Sequence, residues 1–159
     1  MSPEWAQIFQ IKAEDLKQGD SWELQYDANI EPNNPNLDWK EYIRNTSASF
    51  KCSMCRRTWP SNKVKVLFHM CLRNGQGTVK VRPLRQNCKK CTNAPMEDPK
   101  IESENINTLM EKLVEKIKQK CYHENLEESN RPFRLYEVKS PHEPEHCEGC
   151  IKGVCKNNL

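Results

Sequence analysis

The residues of this sequence that are best suited to chemistry are its nine cysteines, six of which fall into three Cys-x-x-Cys pairs, CSMC, CKKC and CEGC. The cysteine positions are Cys52, Cys55, Cys71, Cys88, Cys91, Cys121, Cys147, Cys150 and Cys155. Pairs with this spacing serve as redox dithiols, as disulfide partners or as halves of a tetrahedral zinc site. A redox pair normally stands alone at the start of a helix, and no helical pattern follows any of these three. Three pairs in one polar chain therefore favour zinc coordination.

The compartment expected for the chain is the cytoplasm. The start of the chain, MSPEWAQIFQ, lacks the basic and then apolar layout of a secretory signal, and no run approaches the roughly 18 apolar residues of a membrane span. A reducing compartment and an odd number of cysteines both favour metal over disulfides. Only 36% of the residues are apolar, so the core is expected to be thin, and bound metal would help to hold it together.

The first two pairs are separated by sequence that predicts a β-hairpin. Residues 63–72 (KVKVLFHMCL) and 77–86 (GTVKVRPLRQ) are rich in β-branched residues, and the turn RNGQG joins them. An antiparallel hairpin returns the chain to its starting point, so both pairs arrive at the same open end. We therefore expect a basic zinc hairpin over residues 50–92, although three pairs can also be combined in other ways. Its four ligands would be Cys52, Cys55, Cys88 and Cys91.

A second site is expected in a closing zinc knuckle over residues 140–155, which offers three thiolates and two histidines just upstream. The three cysteines are Cys147, Cys150 and Cys155. Three thiolates and one imidazole form a closed zinc site. We expect His142 to be the fourth ligand, because His146 adjoins Cys147 and its coordination would strain the chelate. The sequence thus predicts two zinc ions in all.

Three further residues with metal-binding side chains are expected to have only a packing role. His69 lies on a hairpin strand and is expected to be a packed strand residue. Cys71 and Cys121 have no partner nearby in the sequence, and a free cysteine of this kind behaves as a small apolar residue. None of the three is expected to bind metal.

The helices and strands that would position the metal-binding residues are expected to form a single α+β domain over 1–159. It consists of a zinc-stabilised β-hairpin or sheet packed with an N-terminal helix, 1–20, and one longer internal helix, 103–121. The internal helix is the most strongly patterned, with glutamates early, lysines late and an apolar stripe on one face. Alternating residues predict strands at 21–27 and 133–139. The stripe consists of Ile106, Leu109, Leu113, Ile117 and Cys121.

Between Lys51 and Met96 the sequence contains eleven basic residues and no acidic one. Thiolates around zinc leave a net negative charge that explains part of this bias, and the rest could be a solvated face. On the two-residue period of a strand, neighbouring basic side chains of the hairpin share a face, so the hairpin could present one exposed basic surface to nucleic acid or a partner. The residues assigned to this surface are Arg56, Arg57, Trp59, Lys63, Lys65, Lys80 and Arg82.

Several motifs together resemble one known family. The similar segments are FKCSMCRRTWPSNKVKVLFHM, the later GTVKVRPLRQNCKKC, the helix that follows and the closing PHEPEHCEGCIKGVC. With these segments the chain resembles the three-Cys-x-x-Cys zinc domain of the receptor-transporting proteins. SWELQYD and DWKEYI also fall where that family has similar segments. The resemblance covers nearly the whole chain.

This resemblance implies an accessory protein that helps seven-helix, G-protein-coupled receptors to reach the cell surface. Such proteins are tethered to the endoplasmic reticulum or the plasma membrane by a C-terminal hydrophobic segment, with the zinc domain facing the cytosol. An interferon-induced branch is implicated in antiviral defence and innate immunity, and the related zinc domain of the zygote-arrest proteins binds RNA. Since the sequence ends at Leu159, directly after the last knuckle, the anchor is expected to be absent from this chain.

Two function classes follow from these observations. The first is a non-enzymatic, chaperone-like adaptor, stapled by zinc, that docks on receptors or other proteins. The second is an RNA-binding module in which the basic hairpin follows phosphates and Trp59 stacks on bases. A zinc enzyme is disfavoured, because it would need an open coordination position that cysteine-rich closed knuckles do not provide.

Overall fold

The computed structural model describes residues 3–16, 19–124, 132–139 and 141–155. Its elements in chain order are α1 (Pro3–Ala13), β1 (Ser21–Tyr26), β2 (Lys40–Lys51), β3 (Thr58–Arg73), β4 (Gln76–Pro83), β5 (Gln86–Asn87), β6 (Met96–Glu97), α2 (Ser103–Cys121), a 3-10 turn (Pro144–His146) and α3 (Glu148–Ile151). Strands β1 to β4 form a four-stranded mixed sheet, and β5 pairs with β6 in a small second ladder. The α+β class expected from the sequence is confirmed.

The centre of the sheet is the hairpin of β3 and β4, which confirms the prediction from the sequence. Arg73 pairs with Gln76 across a two-residue turn. The turn residues Asn74 and Gly75 have φ values of 51° and 77°, as the mirror-image turns that suit the twist of paired strands require. Strand β1 adds to β4 in parallel, which places the predicted strand at 21–27 on the outer edge of the sheet.

The other edge strand, β2, is a twelve-residue element that the sequence did not predict. It runs antiparallel to β3, and its register shifts between Thr46 and Ala48. Its middle residues are partly or fully buried without alternation, because the shift disturbs the period of two and α2 covers one side. A strand with this burial pattern lacks the alternation of apolar and polar residues by which a strand is recognised in a sequence.

Both predicted helices are present and pack on each other and on the sheet. Helix α2 has the predicted bounds, and the first four residues of its stripe are buried in the main core with Trp5 and Phe9 of α1. Each fully buried large side chain contributes about 1.5–3 kcal/mol, so this stripe is the main attachment of α2. Helix α1 ends at Ala13, earlier than predicted, although Leu16 still packs in the core. Within the part of the chain that the structure describes, no helix has the length and apolarity to cross a membrane.

The strand predicted at 133–139 is absent, which corrects the prediction. Residues 132–139, called the strap below, have no regular secondary structure. Their backbone is held by side chains instead: the amide of Asn105 exchanges hydrogen bonds of 2.8 and 3.0 Å with the N–H and C=O of Arg134, and that of Asn62 exchanges two of 2.8 Å with Tyr136. A carboxamide side chain offers the same donor and acceptor as a peptide group, so it satisfies this backbone without a strand partner.

Candidate metal centres

The first cysteine cluster has the geometry of a tetrahedral thiolate site. The Sγ atoms of all four cysteines lie within 4.8 Å of one another. Cys52 Sγ is 3.8 Å from Cys91 Sγ, and Cys55 Sγ is 3.8 Å from Cys88 Sγ. Four sulfurs bound at about 2.3 Å around one zinc ion would be about 3.8 Å apart. The cluster therefore fits a zinc ion without rearrangement.

Two backbone turns position these four thiols. Cys52 and Cys55 lie in the connection between β2 and β3, where the N–H of Cys52 donates to the C=O of Arg57 and the N–H of Arg56 donates to the C=O of Cys52. Arg56 takes a φ of 63° to complete this turn. The other two cysteines lie between β5 and β6, and Glu97 of β6 accepts hydrogen bonds from the N–H and Oγ of Ser53. This carboxylate joins the two knuckles.

The electrostatics of the cluster favour thiolate at Cys88. Burial by itself raises the pKa of this thiol, but the Arg57 side chain, the backbone N–H of Lys90 and neighbouring thiols outweigh it and lower the pKa to about 6. Arg57 Nε donates to Cys88 Sγ over 3.3 Å. The pKa of Cys91 is raised to about 12, first by its interaction with Cys55 and then by burial. A bound zinc ion would supply the positive charge that lets all four thiols ionise.

The second cluster brings together His142 and the three cysteines of the closing knuckle, again with the ligand atoms within 4.8 Å of one another. Cys147 Sγ lies 3.9 Å from Cys155 Sγ, and His142 Nε2 lies 3.2 Å from Cys150 Sγ. The other histidine, His146, points away from the cluster and makes a 2.7 Å hydrogen bond through Nδ1 to Asn87 Oδ1. The donor set of three sulfurs and one imidazole suits zinc.

The closing knuckle differs from the sequence expectation in one respect, because its Cys147–Cys150 pair lies at the start of a short helix. Cys147 is the N-cap of the four-residue helix α3, and its Sγ accepts from the N–H of Cys150 over 3.4 Å. A Cβ added to Gly149 would lie 2.8 Å from Cys155 Sγ, so glycine is needed for the close approach of the last ligand. Gly153, with a φ of 77°, turns the chain back toward Cys155.

The thiols of this knuckle are strongly coupled. Hydrogen bonding from the Cys155 thiol lowers the pKa of Cys147 to about 5 against the opposing effect of burial, with smaller contributions from the Cys150 N–H and His142. The pKa of Cys155 is raised by the same hydrogen bond and by burial. Burial and the neighbouring Cys147 raise the pKa of Cys150. The two clusters together fit two zinc ions.

A buried carboxylate attaches the second cluster to the sheet. Glu148, only 5% exposed, accepts hydrogen bonds from Arg82 Nη2 at 2.9 Å, from Arg85 Nη2 at 2.9 Å and from the Arg85 N–H at 3.0 Å. Its own N–H donates to the C=O of Arg85 over 2.9 Å. Burial raises its pKa, but the bonds from Arg85 and the charge of Arg82 outweigh this and lower it. Sequence analysis missed Glu148, because its partners are far away along the chain.

The expectation that Arg82 is exposed on a basic surface is wrong. Arg82 is 6% exposed and also donates to the C=O of Ile30 at 2.7 Å. The strand register does align Arg82 with Leu67 and Lys80 with His69, so these residues share one face as predicted. That face is covered by residues 27–41 and the closing knuckle, which supply the acidic partners that the basic stretch itself lacks.

The other residues assigned to the basic surface are placed in several ways. Lys80 Nζ lies 3.4 Å from Asp27 Oδ2 and 4.9 Å from the centre of the Trp39 ring. Arg56 is exposed, whereas Lys63 and Lys65 are partly buried. His69 is buried and makes a 2.8 Å contact with Glu41, which confirms its packed position.

Trp59 is not the exposed aromatic that RNA stacking would need. Its ring stacks on Phe50 at 5.5 Å, and the Arg57 guanidinium lies 4.6 Å from its centre. Its Nε1 donates to Gln86 Oε1 over 2.9 Å. A base could stack on this indole only by displacing the protein's own side chains.

Two closed sets of four cysteine and histidine ligands on a small sheet are typical of a structural zinc-binding domain, and a comparison with protein families agrees. A family of zinc ribbons with three Cys-x-x-Cys pairs, described as a zinc-binding domain, matches residues 45–153. The chain belongs to the receptor-transporting protein family. No solved structure matches the chain significantly.

Three relatives illustrate the extent of the similarity. Receptor-transporting protein 2 of Mus musculus is 34% identical over 158 residues, which cover 95% of this chain and 69% of the relative. Receptor-transporting protein 1 of Homo sapiens is 34% identical over 154 residues, covering 95% of this chain and 59% of the relative. Receptor-transporting protein 3 of Mus musculus is 32% identical over 159 residues, covering 98% of this chain and 34% of the relative. The chain therefore spans a third to about two thirds of these proteins.

Proposed function

We propose that the chain is a non-enzymatic adaptor domain, held together by two zinc ions, that helps seven-helix receptors to reach the cell surface from the cytosolic side of the membrane. The observation that carries this proposal is similarity along nearly the whole chain to proteins named for receptor transport, joined to two clusters whose protein ligands are complete. We propose that the eight residues of the clusters are the zinc ligands.

A structural role for the metal is supported by the number of ligands. Each cluster offers four protein ligand atoms, and four protein ligands close a tetrahedral zinc site, whereas a catalytic zinc keeps one position for water or substrate. Bound zinc would cross-link knuckles that the chain itself brings together. Glu148 and Glu97 then link those knuckles to the sheet and to each other. The result is a rigid module suited to docking on another protein.

RNA binding through the basic hairpin is the weaker alternative. Lys51, Arg56 and Lys90 are exposed near the first cluster and could contact phosphates. However, Arg82 is buried, Lys80 is paired with Asp27, and Trp59 is stacked internally. Binding that depends on phosphates should weaken steeply as salt rises. Steeply salt-dependent binding of RNA by the chain would therefore favour this alternative.

The proposed function can be tested in cultured cells that express an epitope-tagged seven-helix receptor. Surface staining should rise when the chain is co-expressed, either as it is or with an apolar membrane-spanning helix appended at its C-terminus. The variants Cys88→Ser and Cys147→Ser should lose the effect, because each breaks one cluster. Surface staining that is unchanged by both forms of the intact chain, over a set of such receptors, would contradict the proposal.

A further inference from the structure

A cleft of about 450 Å³ borders the two metal clusters. One wall is the start of β3, residues 57–63, together with Gln86 and Asn87, and the other is formed by residues 137–139 and 141–143. The cleft reaches both clusters: Arg57 on one wall bonds Cys88 of the first cluster, and His142 on the other belongs to the second. A cavity of this size is in the range of ligand-binding sites.

The β3 wall of the cleft is fixed by internal hydrogen bonds. Gln86 Nε2 donates to Ser61 Oγ over 3.1 Å, and Gln86 Oε1 accepts from Trp59 over 2.9 Å. Asn87 Nδ2 donates to the C=O of Ala94 over 3.1 Å, and Asn87 Oδ1 contacts His146. Side chains that are already ordered lose little further entropy when a ligand binds. The wall is therefore prepared for a ligand.

Among the side chains that line the cleft, cationic groups outnumber carboxylates. Four cationic side chains line it, together with two carboxylates, Glu137 and Glu143. The cations are Arg57, Lys63, Lys89 and Lys139. Lys89 Nζ is 4.0 Å from Glu143 Oε1, which is a long ion pair, and Lys139 is exposed. A ligand with carboxylate side chains would complement this surface.

The surface beside the cleft already binds a polypeptide backbone. Asn62, which lines the cleft, holds the N–H and C=O of Tyr136 in the strap, and Asn105 holds those of Arg134 two residues earlier. The strap then continues into the cleft wall at residues 137–139. The chemistry at this edge thus recognises peptide groups, whereas Trp59 is covered by Phe50 and Arg57 and is poorly placed to stack a nucleobase.

We propose that this cleft binds an acidic peptide segment of a partner protein, with carboxylates of the segment meeting Lys89 and Lys139 and apolar side chains lying against Pro60. The inference rests on the adaptor function proposed above and names the chemistry of the partner. It places the docking site beside the two clusters, so zinc at both sites orders its walls.

The probe for this site is a short fluorescein-labelled peptide in which Glu alternates with Leu and Tyr. The control peptide is identical except that every Glu is replaced by Gln. Fluorescence anisotropy with the zinc-loaded chain should show binding of the Glu peptide and much weaker binding of the Gln peptide. The double variant Lys89→Gln/Lys139→Gln should bind the Glu peptide about fivefold more weakly. Neither lysine is among the cluster residues, so the zinc content of this variant should equal that of the unmodified chain.

A matched control removes the same charge elsewhere. Lys118→Gln/Lys120→Gln lies in the last turn of α2, away from the cleft, and should change the affinity by less than about twofold. Equal losses in the two double variants, or equal binding of the Glu and Gln peptides, would overturn the proposal. So would a labelled uridine homopolymer that binds and depends on Lys89 and Lys139 while the Glu peptide does not bind.

Different results would contradict the adaptor function and the peptide-binding cleft. Receptor delivery by a chain that does not bind the Glu peptide would overturn the cleft and leave the adaptor function. Peptide binding that depends on the two lysines supports the cleft even in a chain that fails to deliver any receptor.

Discussion

Glu148 Oε2 lies 2.9 Å from Arg82 Nη2, so a carboxylate beside the second metal cluster is paired with a cation in the middle of the sheet. Both side chains are less than one tenth exposed. A buried charge that loses its partner is costly. The pair thus ties the position of the closing knuckle to the fold of the sheet.

Replacing Glu148 by glutamine should lower the free energy of unfolding by about 3 kcal/mol, because the buried Arg82 would keep only the half-exposed Glu31 as a counter-charge. The control is Glu31→Gln. Glu31 also contacts Arg82, at 3.2 Å, but its side chain is 49% exposed, and its loss should cost less than about 1 kcal/mol. Urea unfolding of the zinc-loaded variants measures both. Equal effects would show that the Arg82–Glu148 pair has no special role.

The number of bound zinc ions should be two per chain by native mass spectrometry. Both clusters have complete ligand sets at suitable distances, and thiolate ligands bind zinc tightly near neutral pH. One ion or none would contradict the two-site description.

Substituting the histidines should show which of the two imidazoles near the closing knuckle binds metal. His142→Ala removes a ligand atom of the second cluster and should weaken or abolish binding of one ion, while His146→Ala removes only a hydrogen bond to Asn87 and should leave two ions bound. Competition with a chromogenic chelator measures the difference. The reverse pattern would assign the ligand to His146.

Cysteine replacements should differ sharply with position. Cys88→Ser removes a buried ligand of the first cluster and should unfold the hairpin region and lower the soluble yield. Cys71 is also buried, yet it belongs to neither cluster, so Cys71→Ser should cost only a small packing term. Circular dichroism melting and zinc content compare the two variants. If both were equally damaged, Cys71 would have to be regarded as a ligand.

Gly77→Ala should be destabilising although alanine is a mild change. A Cβ at this position would lie 2.1–2.4 Å from ring atoms of Trp22, and such overpacking costs about 1–3 kcal/mol. The same substitution in a Trp22→Leu background should cost less, because the indole is gone. Thermal unfolding of the four variants of this cycle checks the coupling, and purely additive effects would exclude the clash as the cause.

The alkaline stability of the protein should depend on Tyr122. Burial, followed by the hydrogen bond to Asp20, raises the pKa of this phenol to about 12. The folded state therefore favours the protonated phenol, whose contribution is complete below pH 10 and is lost as the pH rises towards 12. The free energy of unfolding should fall more steeply over this window for the unmodified protein than for Tyr122→Phe. Tyr26→Phe, which removes a phenol that is 46% exposed, is the control for the general effect of losing a tyrosine.

Local patterns in the sequence were sufficient for several features of the fold and the sites. The apolar stripe of α2, the Asn74–Gly75 turn and the β-branched strands around it have short-range physical causes: helical period, left-handed turn residues and side-chain branching. The spacing of the cysteine pairs likewise indicated metal, and the hairpin between Cys55 and Cys88 explained how two pairs could meet.

Other features depended on residues that are distant in the sequence. Strand β2 has no readable period, because its burial is imposed by α2 on one side and by a register shift. The alternating residues of the strap predicted a strand. Whether the backbone of such a segment hydrogen-bonds to a neighbouring strand or to two asparagine side chains depends on what the fold places beside it. The Arg82–Glu148 pair joins positions 66 residues apart, and no local rule predicts such a partner.

The same division applies to charge. The sequence alone determined that residues 51–96 contain eleven lysines and arginines but no acidic residue, and that six of the nine cysteines come as three pairs. Only the tertiary structure decided that Arg82 and Lys80 are neutralised by acidic residues from other segments, while Lys89 and Lys139 face a cleft. The physical reason is that Coulomb interactions and burial act through space, so the effect of a charge depends on what the fold places around it.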